Sequence, residues 1–267
     1  MDETVKTAPK SENTLSLPVA IIVAGALIAG AVFLSRAPAS TPTTADPVTA
    51  GVIDVLPISA DDHFLGNPDA PFTFIEFSDL ECPYCKTFHT TMKSLMDEYG
   101  KTGDMAWAYR HLPLISIHPL AQRKGEMVEC VDELSNKTAT WNFINNLFDA
   151  TPINARLEEG PTIAVATKLG IDKTKLESCL ASGSKKALVE ADMNDAIKAG
   201  GRGTPFVVIL LKNELSEDQV AALRAHFETL GAGASELLTV DKDRSIVSIS
   251  GALPVEFMKE FISIMKG

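Results

Sequence analysis

The amino-acid sequence predicts an α/β domain that carries a helical insertion. A strand–helix–strand pattern runs through residues 72–77, 86–99 and 105–109. A long stretch, about 119–200, then shows successive helix patterns without a convincing strand, and an apolar strand follows at 206–211. Strands that alternate with helices indicate an α/β sheet, so the run of helices between two strands indicates an insertion.

The first unit is defined by its residue types and their spacing. Residues 72–77, Phe-Thr-Phe-Ile-Glu-Phe, are aromatic and β-branched, as is typical of a buried strand. Residues 86–99 place apolar side chains at helical spacing, and Gly100 ends the pattern. The second strand is expected at 105–109. Two strands joined by a helix in this way are expected to lie parallel, with a right-handed crossover.

The remaining elements follow from the same two periodicities. Within the insertion, the helix patterns cover residues 120–134, 140–150, 161–169, 172–182 and 185–199. After the strand at 206–211, we expect a helix at 216–230 that opens at Ser216, a strand at 245–250, and a closing helix at 254–265.

The charge of the chain bears on its partners. The 267 residues carry a formal net charge of −11 at pH 7. Three basic and three acidic side chains cancel within residues 1–40, so the acidic excess lies on the predicted domain. Binding to nucleic acid needs a basic face, and we therefore expect no nucleic-acid partner. The acidic surface is interpreted as a solvated face that keeps the protein soluble.

The amino-terminal region predicts a membrane segment. No charged residue occurs between Glu12 and Arg36, and residues 18–35 are mostly apolar, close to the roughly 20 residues that a spanning helix needs. We expect a transmembrane anchor after a cytoplasmic lead of residues 1–17. A signal peptide cleaved near residues 37–39 is the alternative, and a buried core helix a third possibility. The first two readings place the rest of the chain outside the cytoplasm.

Residues 36–62 are rich in Pro, Thr, Ala and Ser. Proline cannot join regular hydrogen-bond ladders, so this composition predicts a flexible linker between the membrane and a domain of residues 63–267.

Cys82 and Cys85 are the strongest functional signal. A C-x-x-C pair at the start of a helix, beside a strand–helix–strand unit, is typical of a redox site. The helix amino terminus offers free N–H groups that lower a thiol pKa. A zinc site would need a second close pair, and covalent haem would need His where Lys86 stands, so we expect neither metal nor cofactor. A structural disulfide in so short a loop is uncommon.

The other two cysteines, Cys130 and Cys179, fall on separate helix patterns of the insertion. In an oxidising compartment two such thiols tend to pair, so we predict a structural disulfide between them. The alternative is two buried free thiols. His89, His111 and His118 are interpreted as structural.

These residues resemble DsbA-like proteins of the thioredoxin superfamily. The resemblance rests on residues 72–89, which include Glu76, Cys-Pro-Tyr-Cys and Phe88, and on Gly-Thr-Pro-Phe at 203–206. The opening Gly-Asn-Pro-x-Ala-Pro at 66–71 is similar to that of the membrane-anchored bacterial group. The resemblance implies a thioredoxin-like fold with a helical domain at about 119–200. The stretch at about 212–244 departs from it, because the family usually has a short hairpin there.

The resemblance also implies roles for individual residues. Cys82 would be the nucleophile and Cys85 the resolving thiol. Glu76 would be a buried acid that accepts the Cys85 proton. The alternative interpretation is that Glu76 is only a partly exposed carboxylate on the strand. The substrate-binding residues would be Pro83, Tyr84, Thr204 and Pro205, with Pro205 in the cis form; an ordinary trans-proline loop is the alternative.

The implied activity is thiol–disulfide exchange by a monomer, which we expect to oxidise the cysteines of exported proteins. A quinone-linked membrane protein, DsbB-like or VKOR-like, is the expected partner that reoxidises the site. The direction of thiol–disulfide exchange depends on the reduction potential and on the partners, so the main alternative is a reductase or isomerase fed by a membrane electron donor. The second alternative is a non-catalytic anchored chaperone.

Overall fold

The computed structural model describes residues 52–152 and 157–267. The predicted membrane segment at 18–35 lies outside these residues. Within them, no helix combines the length and the apolar character needed to cross a membrane.

The described residues form a six-stranded mixed sheet with the order β1-β3-β2-β4-β6-β5. Only β2 and β3 are parallel, and the other neighbouring strands are antiparallel. The strands are β1 (His63–Gly66), β2 (Phe72–Ser78), β3 (Met105–His111), β4 (Phe206–Leu211), β5 (Leu238–Val240) and β6 (Ile246–Ser250).

The helices follow the predicted patterns closely. They are α1 (Pro83–Leu95), α2 (Ala121–Leu134), α3 (Lys137–Ala150), α4 (Glu159–Lys168), α5 (Lys173–Ser182), α6 (Lys186–Lys198), α7 (Glu217–Glu228) and α8 (Val255–Lys266). A π-helical turn, Met96–Gly100, extends α1, and a 3₁₀ turn, Ala234–Leu237, precedes β5. No strand interrupts α2 to α6 among the described residues, so the helical insertion is present as predicted.

Side chains of β2 alternate between the two faces of the sheet. Phe74 belongs to the larger core cluster, which also contains Cys85 and Phe88 of α1. Ile75 and Phe77 belong to a second cluster on the opposite face, together with residues of α6. The residues of β2 that share a face with Phe74 therefore point toward α1 and the two cysteines.

The segment before β1 corrects the prediction of a flexible linker up to residue 62. Ile53 is buried in the second core cluster, and the Leu56 N–H donates to Asp195 at 2.8 Å. Arg110 donates to the Asp62 carboxylate at 2.6 Å and to the Leu56 carbonyl at 3.0 Å. These contacts make residues 53–62 part of the folded domain. The proline-rich composition could not reveal them, because the partners lie far away in the chain.

The stretch at 212–244 forms parts of the same domain. Ser216 accepts a hydrogen bond from the Gln219 N–H, and the Gln219 side chain accepts one from the Ser216 N–H, so the two residues cap α7. Phe227 of α7 packs against Phe261 of α8. The chain then adds β5 to the sheet edge beside β6. The stretch therefore builds a helix and an edge strand.

Cys130 of α2 and Cys179 of α5 form a disulfide. It joins two helices of the insertion, as the sequence analysis predicts. Cys130 is fully buried among core residues of the larger cluster.

Candidate functional site

Cys82 and Cys85 lie where β2 leads into α1. Cys82 is the N-cap residue of α1, with an extended backbone, and Pro83 occupies the first helical position, where the missing N–H costs nothing. Cys85 follows in the first turn. Both cysteines are free thiols in the structure. Cys82 is 5% exposed and Cys85 is fully buried, so only Cys82 is open to attack from outside.

The loop before β4 faces Cys82. The Thr204–Pro205 peptide bond is cis, as the resemblance implies. The Thr204 carbonyl lies 3.6 Å from the Cys82 sulfur. The loop therefore presents backbone directly beside the Cys82 thiol.

The Cys82 thiol has a lowered pKa. Hydrogen bonding from the Cys85 thiol is the largest cause, and the Thr204 side chain and the backbone N–H groups of Tyr84 and Cys85 act in the same direction. Burial opposes them, yet together they lower the pKa from 9.0 to about 6. Cys82 is therefore mostly thiolate at neutral pH, and the thiolate is the nucleophilic form.

The Cys85 thiol behaves in the opposite way. Burial raises its pKa well above 9.0, and the negative charge that develops on Cys82 raises it further. The Asp79 N–H donates to its sulfur at 3.4 Å. Cys85 therefore stays protonated while Cys82 is ionised.

Glu76 lies on the face of β2 that points toward α1. It is fully buried, and neither carboxylate oxygen has a hydrogen-bond partner among the described residues. Burial raises the pKa of Glu76 from 4.5 to about 8, although the Ser78 hydroxyl and the Trp107 indole oppose part of the rise. Ser78 also lowers the pKa of Cys85.

Two acidic residues, which the sequence analysis did not single out, stabilise the turn between β2 and Cys82 through hydrogen bonds and ion pairs. Asp79 accepts hydrogen bonds from the N–H groups of Glu81 and Leu114 and pairs with His118 at 2.8 Å. The Glu81 carboxylate pairs with buried Lys124 at 3.1 Å. These bonds fix the turn to the chain that leads into α2. Their only sequence signal is the position of two acids directly before Cys82.

The other predicted substrate-binding residues lie on the open side of the pair. Tyr84 is 67% exposed, and Pro83 is partly exposed. An open groove of about 790 Å³ runs beside Thr204 and Pro205. Leu237 and Thr239, from the stretch at 212–244, line part of it.

The histidines occupy different places. His89 is buried and bonds to Asn145, and His118 pairs with Asp79 as described above. Within the described ranges, one group of side chains has ligand atoms close enough together to hold a metal ion. It consists of His63, His111 and Glu129. They lie at the junction of the sheet and the insertion, apart from the cysteine pair.

Taken together, the geometry suits two-electron exchange. The Cys82 thiolate, which is slightly accessible, can attack or be released from a disulfide, while the fully buried Cys85 lies one helical turn away and on the same side of α1. The cis-proline loop places a carbonyl where an extended peptide could align.

Comparison with known proteins agrees with this geometry. Residues 59–224, more than half of the chain, match the family described as thioredoxin. The oxidised BdbD structure from Bacillus subtilis is similar with a TM-score of 0.56 and 18% identity, over 80% of this chain and 98% of that one. The α-DsbA1 structure from Wolbachia pipientis is similar with a TM-score of 0.57 and 20% identity, over 79% of this chain and 92% of that one.

Among curated proteins, the Na⁺/H⁺ antiporter NhaA 1 of Salinispora arenicola is 27% identical over 188 residues, which cover 70% of this chain and 28% of that protein. The chain spans about a quarter of the length of the curated relatives it matches. The family inferred from the sequence is confirmed: the chain belongs to the thioredoxin family and has the fold of its DsbA-like thiol–disulfide oxidoreductases.

Proposed function

We propose that this chain oxidises cysteine pairs of exported proteins through a Cys82–Cys85 disulfide. The observation that carries the proposal is the contrast between the two thiols: the pKa of Cys82 is lowered to about 6, whereas that of buried Cys85 is raised. A stabilised Cys82 thiolate favours the reduced form of the pair. A pair that favours its reduced form is an oxidant toward other thiols.

The proposed reaction has two exchange steps. A substrate thiolate attacks the Cys82 sulfur of the disulfide, and Cys85 leaves as a thiolate that takes up a proton. A second substrate thiolate then attacks the substrate sulfur of the mixed disulfide and releases the Cys82 thiolate. The substrate gains one disulfide, and two electrons pass to the cysteine pair.

Glu76 and Ser78 are suited to supply the proton to Cys85. The carboxyl has a pKa of about 8, so it is mostly protonated at neutral pH. The Ser78 hydroxyl influences the pKa of both Glu76 and Cys85 and lies on the same face of β2. Glu76 would give its proton to Cys85 when the disulfide opens and would take it back when the pair is reoxidised.

The groove beside Pro205 is the proposed substrate site. Its wall from the stretch at 212–244 supplies Leu237, which is 38% exposed, and its other side is the cis-proline loop. A peptide lying there would have its backbone beside Thr204 and its cysteine beside Cys82. This gives the additional stretch a role in extending the substrate surface.

The location and the partners belong to the same proposal. The apolar segment at 18–35 is the sequence feature that favours a membrane anchor, with the catalytic domain on the extracytoplasmic face. Reoxidation of the dithiol would then fall to a quinone-linked membrane protein. The segment at 53–62 is folded onto the domain, so a linker to the anchor would consist of residues 36–52 only.

The redox equilibrium of the purified chain against glutathione tests the direction. We expect a potential of about −120 mV, the oxidising end of the range for this chemistry, and a value of about −270 mV would instead establish a reductase. A chain in which Cys130 and Cys179 are both replaced by Ser is the matched control, because it retains the Cys82–Cys85 pair alone.

A second experiment separates exchange from chaperone action. The oxidised chain should form disulfides in a reduced, unfolded protein in equimolar amount, and the Cys82→Ser/Cys85→Ser variant should form none. Full activity of that variant in suppressing aggregation, together with no disulfide transfer by the unaltered chain, would favour the chaperone alternative.

A further inference from the structure

Three side chains converge where the edge of the sheet meets the helical insertion. His63 lies on β1, His111 ends β3, and Glu129 lies on α2. The Nε2 atom of His63 is 2.7 Å from the Glu129 Oε1 atom, and the Nε2 atom of His111 is 3.0 Å from the same oxygen. One potential ligand atom from each residue therefore faces a common point.

The sheet fixes this arrangement. His63 pairs in register with Tyr109, two residues before His111, so both histidines point to the face of the sheet that α2 covers. Each histidine is 2% exposed, and the Glu129 side chain is 11% exposed. Three rigidly held groups thus lie close together in a largely water-free place.

The distances suit a small transition-metal ion. Zinc binds histidine nitrogen and carboxylate oxygen at about 2.0–2.2 Å, so ligand atoms in a tetrahedral site lie about 3.3 Å apart. The present separations of 2.7 and 3.0 Å would need to widen by only a few tenths of an ångström.

The surroundings give a second, independent indication. The Nδ1 atom of His63 is buried without a hydrogen-bond partner, and an Asp132 oxygen lies 3.8 Å from it. A carboxylate at this position commonly orients a histidine that binds a metal through its other nitrogen. A cleft of about 310 Å³ also reaches His63, Glu129 and Asp192, and it leaves room for a fourth ligand and a path of entry.

We propose that His63, His111 and Glu129 bind one Zn²⁺ ion, with water as the fourth ligand. Two imidazoles and one carboxylate suit zinc, whereas Ca²⁺ and Mg²⁺ prefer sites made of oxygen atoms alone. The sequence analysis expected no metal, because it weighed zinc only at the cysteines and interpreted His111 as structural. The ion would tie β1 and β3 to α2. Since His111 pairs in register with Ser78, it would also stiffen the strand end that leads to Cys82.

Zinc titration of the full chain tests the site. The chain is first treated with a chelator and kept with Cys82 and Cys85 in the disulfide form, so that no thiolate can bind the ion. Calorimetry should give one Zn²⁺ per chain. A hundredfold excess of Zn²⁺ over Kd should raise the Tm by about 5–10 °C. The same concentration of Ca²⁺ or Mg²⁺ should leave the Tm unchanged.

Variants assign the ligands. His63→Gln and His111→Gln should each weaken Zn²⁺ binding at least about tenfold. His226→Gln is the matched control, because His226 stacks on Phe257 away from the cluster, and it should bind like the unaltered chain. Circular dichroism without metal checks that each variant is folded.

Absence of Zn²⁺ binding up to 1 mM would overturn the proposal and leave a plain ion-pair cluster. Unchanged affinity in both histidine variants, or equal stabilisation by Ca²⁺, would also overturn it. If a variant does not fold, zinc-edge absorption of the unaltered chain decides. It should show a nitrogen and oxygen shell at about 2.0–2.1 Å, and sulfur at about 2.3 Å would refute the site.

Discussion

Replacing Glu76 by Gln should make the fold more stable at alkaline pH. The carboxyl is fully buried, and burial raises its pKa from 4.5 to about 8. Between these two values the folded chain holds a proton that the unfolded chain has lost. Stability therefore falls as pH rises through this window, and the loss is complete once pH exceeds the folded pKa. Gln has almost the same shape but cannot ionise.

The size of the effect follows from the shift. Each pH unit in the window corresponds to about 1.4 kcal/mol, and the window from 4.5 to about 8 therefore gives about 5 kcal/mol. Below pH 4.5 the two chains should differ only by the cost of the added amide donor, about 1–3 kcal/mol. The free energy of unfolding of the original chain, minus that of the Gln variant, should then fall by about 5 kcal/mol on going to pH 8.

The assay is urea unfolding at half-unit pH steps, with both chains in a Cys82→Ser/Cys85→Ser background. That background removes redox changes, and neither cysteine contributes to the raised pKa of Glu76. The difference between the two chains cancels the titration of the groups they share. A difference that stays constant from pH 4.5 to 8 would refute the raised pKa and, with it, the proton-donor role of Glu76.

Three further predictions concern other parts of the chain. Replacing Cys130 and Cys179 by Ser opens a link between residues 49 positions apart and should cost about 4 kcal/mol in urea unfolding; an unchanged midpoint would contradict a structural disulfide. Cys85→Ala removes the largest cause of the low Cys82 pKa, so the alkylation midpoint of Cys82 should move from about 6 toward 9.0, and a fixed midpoint would disagree. Arg110→Met leaves the buried carboxylates of Asp62 and Asp195 without their ion-pair partner, so it should lower the free energy of unfolding by about 3–5 kcal/mol. It should also expose residues 53–62 to protease. Lys101→Met, which removes an exposed ion pair, is the control and should lower the free energy of unfolding by less than about 0.5 kcal/mol.

Local periodicity was sufficient to predict the central elements. β2, α1 and the helices of the insertion show spacing that depends only on neighbouring residues, and the structure places them within a few positions of the prediction. The short strands β1 and β5 were missed. Strands of four and three residues carry too little alternation to be recognised, and pairing with β3 and β6 determines them instead.

The candidate site divides in the same way. Cys82, Cys85 and the Thr204–Pro205 loop carry local motifs, and the fold brings them together across 122 positions. Asp79 bonds to His118 across 39 positions, and Glu81 bonds to Lys124 across 43 positions. No local sequence pattern predicts these two contacts. The same holds for His63 and Glu129, which lie 66 positions apart. Contacts between polar residues that lie far apart in the chain cannot be predicted from the local patterns of a single sequence.

Alkylation of the reduced chain as a function of pH tests the role of Cys82 most directly. Iodoacetamide reacts with the thiolate, so its rate follows the ionisation of the accessible thiol. Mass spectrometry should find the modification on Cys82, with half of the maximal rate at a pH of about 6 and Cys85 unmodified at neutral pH. A midpoint near the ordinary cysteine value of about 8.5, or equal modification of Cys85, would contradict an accessible Cys82 thiolate paired with a fully buried Cys85 thiol.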